Sequence, residues 1–185
     1  MVLGLTLLTM RIVSGIAKGR KLLTPLSQDV RPSKDRVREA IFNSLTSFEL
    51  IDGRHFIDLF AGSGALGLEA LSRGARKVTF VDNQKACIDV IETNVGALGF
   101  EKNAEIILSD YVHQLGQIQA DNVVILDPPY KFENWEGLLN SIEADVVVIE
   151  SDRNISIMEP WNIIKTKRYG TTMVTIALKP LGKSL

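Results

Sequence analysis

Five short runs of aliphatic and β-branched residues, at 55–60, 77–82, 105–108, 123–127 and 145–150, recur along the chain with helical stretches between them. Each run is apolar at nearly every position, the pattern of a strand covered on both faces, and the alternation of such strands with helices predicts a mostly parallel sheet. Two further runs, 161–169 and 171–178, flank Gly170 and predict an antiparallel hairpin, which is tolerated at the edge of a parallel sheet. The fold class expected is therefore α/β, with seven strands in one sheet. A chain of 185 residues, 45% of them hydrophobic, suits a single domain with a substantial core, and two full domains would be cramped.

Ahead of the first parallel strand, residues 11–14 and 20–24 flank a glycine-containing turn and predict a basic hairpin that protrudes with Lys18, Arg20 and Lys21. Ser33 can cap a helix over 33–50 whose apolar stripe is Val37, Ala40, Ile41, Leu45 and Phe48, leaving Lys34 and Arg38 on more exposed faces. In the helix predicted over 84–98, Cys87, Val90, Ile91 and Leu98 share one face and Gly99 supplies a stop, which makes Cys87 a core residue and not a catalytic one. The organisation expected is a hairpin at 10–26, the helix at 33–50 and a Rossmann-like core over 54–185. Residues 1–9 are apolar but too short to span a bilayer, with no basic region ahead of them and no small-residue cleavage pattern, and are read as a leader or tag remnant outside the core. A single cysteine can form no internal disulfide, and a reducing cytoplasm is the natural compartment.

The first chemical motif is Asp58-Leu-Phe-Ala-Gly62-Ser-Gly64-Ala-Leu-Gly67, a glycine-rich turn where a strand ends and a helix begins. There the backbone can approach a ligand closely, and amides at the helix start can meet its polar atoms. Asp82 closes the next strand, where a carboxylate can accept from both ribose hydroxyls, so the motif points to an adenosine-type ligand. Asp110 follows the third strand at the same sheet end and could reach an adenine amino group or cap the next helix. The second motif, Asp127-Pro128-Pro129-Tyr130, separates methyl transfer from hydride transfer. Two prolines after a strand fix an extended backbone that aims the Pro128 carbonyl. An exocyclic base amine is a poor nucleophile because its lone pair is delocalised into the ring. Asp127 and the Pro128 carbonyl are two acceptors for its two N–H groups, and Tyr130 offers a flat face for the base. His55 and His113, the only histidines, fall in no ligand or nucleophile constellation, and no metal site is evident.

The net charge of −1 conceals a segregation: residues 10–40 carry eight basic and three acidic side chains, 153–185 carry six and one, and the remainder seven and eighteen. Basic ends on an acidic body suit a polyanion if both ends fold onto one face.

From Met10-Arg-Ile-Val-Ser-Gly through Lys18-Gly-Arg-Lys-Leu, Arg31-Pro-Ser-Lys-Asp-Arg-Val-Arg-Glu-Ala, the Asp58 turn, Asp127-Pro-Pro-Tyr and the Arg168-Tyr-Gly-Thr hairpin, the chain resembles the bacterial small-subunit (16S) ribosomal RNA guanine-N2 methyltransferase family, RsmD-like. The resemblance implies a class I methyltransferase sheet binding S-adenosylmethionine, with Asp58, Gly62 and Gly64 lining the methionine side, Asp82 on the ribose and Asp110 facing the adenine. It implies that Asp127 and Tyr130 handle the target guanine, and that Arg31 and Arg36 border the mouth. The partner implied is 16S ribosomal RNA or the small subunit, with no membrane and no metal, and composition suggests a monomer. Asp-Pro-Pro-Tyr also serves adenine-N6 enzymes, which leaves an adenine-N6 nucleic-acid methyltransferase as the alternative. A nicotinamide dehydrogenase using Gly62-x-Gly64-x-x-Gly67 leaves Asp-Pro-Pro-Tyr unexplained. A non-catalytic RNA-binding assembly factor needs no complete cofactor pocket.

Overall fold

The computed structural model describes residues 10–25 and 32–180. Residues 1–9, Arg31 and the side chains of Ser33 and Lys34 lie outside it, together with the expectations placed on them. Seven strands form one sheet in the order β5-β4-β3-β6-β7-β9-β8: β3 (His55–Asp58), β4 (Lys77–Asp82), β5 (Ala104–Leu108), β6 (Asn122–Leu126), β7 (Val146–Ser151), β8 (Asn162–Tyr169) and β9 (Thr172–Leu178). The first five pair in parallel, and β9 and β8 add antiparallel to β7. The all-apolar runs are explained by two cores, one on each face. Along β6, Val123 and Ile125 enter one core while Val124 and Leu126 enter the other, and β7 divides Val146 and Val148 from Val147 and Ile149 in the same way. The first core packs α1 (Pro32–Ser47), α2 (Ala65–Ser72) and α3 (Lys85–Leu98); the second packs α4 (Trp135–Ser141). Gly99, with φ 75°, terminates α3, and Cys87 is buried with its thiol pushed up to about 12, chiefly by burial. Among the described residues no helix is long and apolar enough to cross a membrane.

The N-terminal hairpin differs from expectation in extent and in placement. Its ladder is two residues long on each side, β1 (Met10–Arg11) against β2 (Lys21–Leu22), extended by Ile12 meeting Gly19 and Arg20. It does not protrude, because the segment after Ile12 turns away to dock on α2. The Val13 and Ser14 amides donate to the carboxylate of Glu69 at 2.8 and 3.0 Å, and those of Ile16 and Ala17 donate to the Ser72 carbonyl and hydroxyl. The contact is close enough that a Cβ on Gly15 would lie 1.8 Å from the Ser72 carbonyl oxygen. Met10, Ile12 and Leu22 thereby join the first core.

Two expectations for α1 are corrected. Arg38 is 2% exposed, not surface-facing. It sits three residues before Ile41, on the buried stripe, and its charge is met by Asp35 at 2.8 Å, by the Arg11 carbonyl at 2.6 Å and by Glu69 at 3.6 Å. Phe48 is 43% exposed, because the helix ends at Ser47 and the chain leaves the stripe there; Phe42 is buried in its stead.

Candidate active site

The chain reverses direction across the sheet between β3 and β6: β4 and β5 build outward on one side of β3, and β6 returns to the other. In open α/β sheets the carboxyl ends of strands at such a switch form the ligand crevice. Asp58 ends β3, Asp82 ends β4, Asp110 follows β5, Asp127 follows β6 and Glu150 lies near the end of β7, so five carboxylates share one edge.

The glycine-rich turn hangs from this edge. Gly62 and Gly64 adopt φ of 55° and 77°, and Gly64 starts α2. Glycine at position 67 has a different cause: a Cβ there would lie 2.3 Å from Phe80 and 2.8 Å from Val78, so the missing side chain lets α2 lie flat on β4. The turn is held from both sides. The Gly62 amide donates to Asp82 Oδ2 at 2.8 Å, and the buried Asn94 of α3 donates to the Ser63 carbonyl at 3.1 Å while pairing with the backbone of Leu23. Asp82 Oδ1 takes the Gln84 amide at 2.9 Å. Asp58 is 1% exposed; its Oδ2 accepts from the Gly67 amide at 3.3 Å and its Oδ1 has no hydrogen-bond partner. Burial first, and the neighbouring Asp127 second, raise its carboxyl to about 7. Asp110 caps the 3₁₀ helix Tyr111–Gln117 by accepting from the Val112 amide at 3.1 Å.

Pro128 is buried and Tyr130 is 62% exposed beyond it. The loop carrying them is braced by Arg153, whose guanidinium donates to the carbonyls of Tyr130 at 3.3 Å and Phe132 at 2.7 Å. Phe60, Tyr111 and Phe132, from the segments that follow β3, β5 and β6, meet with ring centroids 5.0 to 5.7 Å apart and tie those segments together. A cavity of about 80 Å³ is lined by Phe60, Ala61, Ser63, Asp127, Glu150 and the buried Arg38.

The basic residues divide. Lys18 and Arg36 line a second, larger cleft of about 470 Å³ with Arg11, Asp35 and Glu39. Lys21 is exposed outside it, and Arg20 is turned to the Ala97 carbonyl. His113 is exposed, and His55 lies at the opposite, amino end of β3. Sequence reasoning missed Asn94, Glu69 and Arg153. The first two had a signal, since each is a polar residue on an apolar helical face; Arg153 had none.

A switch-point sheet of this order, closed by an antiparallel hairpin and bearing a glycine-rich turn after its first parallel strand, is the class I methyltransferase fold. The chain matches the model of the family described as Conserved hypothetical protein 95 over residues 10–178, and it belongs to that family. It is 39% identical over 171 residues to Ribosomal RNA small subunit methyltransferase D of Escherichia coli (strain K12), covering 86% of this chain and 85% of that one. The solved structure of yhhF from Escherichia coli superposes with a TM-score of 0.81 at 32% identity, over 92% of this chain and 98% of that one. SMU.776, solved with SAH, shares the fold at a TM-score of 0.66 and 15% identity, over 86% of this chain and 54% of that one.

Proposed function

We propose that this protein transfers a methyl group from S-adenosylmethionine to the exocyclic N2 amine of a guanine in small-subunit ribosomal RNA. The observation that carries the reading is the meeting of two unlike carboxylates at one sheet edge: Asp58, buried with one oxygen unpartnered, and Asp127, at the head of Asp-Pro-Pro-Tyr and close enough to raise the Asp58 carboxyl. A buried carboxyl short of one partner suits the cationic amine of an amino-acid ligand, which would draw off its proton and satisfy Oδ1. Asp82 uses one lone pair on each oxygen for amides and retains others for two ribose hydroxyls. Asp110 spends one oxygen on its cap, and the second can take an adenine amino group.

The cofactor, when bound, supplies an electrophilic sulfonium methyl. The protein's own work is then positioning. Tyr130 is exposed enough to stack a base that has left its helix, and Arg153 holds the loop that presents it. Asp127 and the Pro128 carbonyl take the two N–H groups of the amine and leave its lone pair directed at the methyl. No strong base is needed before transfer, since the aminium product is acidic, and Asp127 or water accepts its proton afterwards. Small-subunit ribosomal RNA as substrate is supported by the relative's name and by the exposed basic residues of the hairpin and α1.

Incubation with radiolabelled S-adenosylmethionine and small ribosomal subunits from cells lacking a homologue, followed by nucleoside analysis, tests the reading. Labelled N2-methylguanosine is expected; labelled N6-methyladenosine would keep the chemistry and overturn the base, and absence of label would overturn the acceptor.

A further inference from the structure

We infer that Glu150 selects guanine, its carboxylate accepting the ring N1–H of the target base beside the amine held by Asp127. This rests on the methyl transfer proposed above and adds the group that recognises the base. Leu126 and Ile149 are register partners in the parallel pair β6–β7, so the residues that follow them, Asp127 just past β6 and Glu150 still within β7, stand side by side at the sheet edge. Neighbouring strands run about 4.8 Å apart, and both side chains line the same cavity. Glu150 follows four fully buried apolar residues, Val146 to Ile149, and neither the cofactor nor the amine requires it. Arg38 lines that cavity as well and is 2% exposed.

Guanine presents two kinds of donor at adjacent positions: the amine on C2 and the hydrogen on N1. Two acceptors on neighbouring strands match that edge. Adenine carries an amine next to a bare N1 lone pair, which an ionised carboxylate repels. Asp127 facing an amine treats the two bases alike, whereas a second carboxylate beside it does not.

The test uses small subunits reconstituted with RNA that carries, at the nucleotide modified by the wild-type protein, either guanosine or 2-aminopurine riboside, which keeps the C2 amine but has an unprotonated N1. The wild-type protein is expected to methylate guanosine at least about tenfold faster, as for loss of one base-edge contact. In Glu150→Gln, whose amide can donate to the bare nitrogen, that ratio is expected to shrink by about tenfold, with cofactor affinity unchanged. Equal wild-type rates on the two bases would overturn the inference without any variant. A variant that slows both substrates equally would assign Glu150 a structural role and overturn it too, while leaving the methyltransferase reading intact. Failure of the wild-type protein to label guanosine at all would remove both readings together.

Discussion

Asp58 ties pH to stability and, under the proposed function, to cofactor binding. Its carboxyl is raised from 3.8 to about 7 in the fold, so between those values the folded chain keeps a proton that the unfolded chain has released. The stability from this group is complete below about pH 4 and is lost as pH rises through about 7, at roughly 1.4 kcal/mol per unit of difference. Asp58→Asn removes the ionisation, and the thermal midpoint of the ligand-free wild-type protein is expected to fall relative to that of the variant between pH 5 and pH 8. A difference that stays flat across that range would contradict the assignment. A cationic ligand beside Oδ1 reverses the preference, so cofactor affinity should rise from pH 6 to pH 8 in the wild-type protein and not in Asp58→Asn. Asp127 gives a linked result, being the second cause of the shift. Asp127→Asn should move the pH midpoint of cofactor binding downward and leave affinity at pH 8 within a few-fold. It should also slow methyl transfer by about 10²-fold or more, the usual cost of a lost charge-stabilising group. A near-normal single-turnover rate would remove Asp127 from the chemistry.

At the scale of elements, α2 joins the glycine-rich turn at its start to the N-terminal hairpin near its end. Glu69, fully buried, is the join: it accepts from Val13, Ser14 and the Arg73 guanidinium, and it faces Arg38. Taking one partner from a buried charge network costs about 3–5 kcal/mol. Glu69→Ala should therefore lower the urea midpoint sharply and expose the Val13 and Ser14 amides to hydrogen exchange; retained protection at those two amides would show that the hairpin is held by other contacts. This join also marks where sequence reading stopped. The five parallel strands, the final hairpin and the α3 stop were legible because burial on two faces and a left-handed glycine are written into local runs. The docking of residues 13–17 was not, because their partners lie 55 to 56 positions away. Arg38, expected on an exposed face, is buried for the same reason: only the fold brings Glu69 against it. Asp58, Asp82 and Asp127 could be named from motif position, since strand ends in a parallel sheet all point one way. Glu150 could not, because a lone carboxylate after an apolar run has no motif around it.

For the whole molecule, the segregation of charge decides how RNA would be approached. The basic ends stand against a middle with eleven more acidic than basic side chains, from the eighteen and seven counted there, so long-range attraction has to be delivered through a few exposed cations. The structure ranks them. Lys18 and Arg36 share the larger cleft and Lys21 is exposed beside it, whereas Arg20 is engaged with the end of α3 through the Ala97 carbonyl. Each cation that neutralises a phosphate contributes about 0.7 to the slope of log affinity against log salt for single-stranded nucleic acid. Replacing Lys18, Lys21 and Arg36 together by alanine should then flatten that slope by about 2 and leave cofactor affinity untouched. Arg20→Ala should change the slope little and loosen the hairpin instead, visible as a lower thermal midpoint. Fluorescence titration of small-subunit RNA between 50 and 300 mM salt separates the two cases. A triple variant with the wild-type slope would move the RNA path off this face of the molecule, toward the C-terminal strands where Lys165, Lys167 and Arg168 stand.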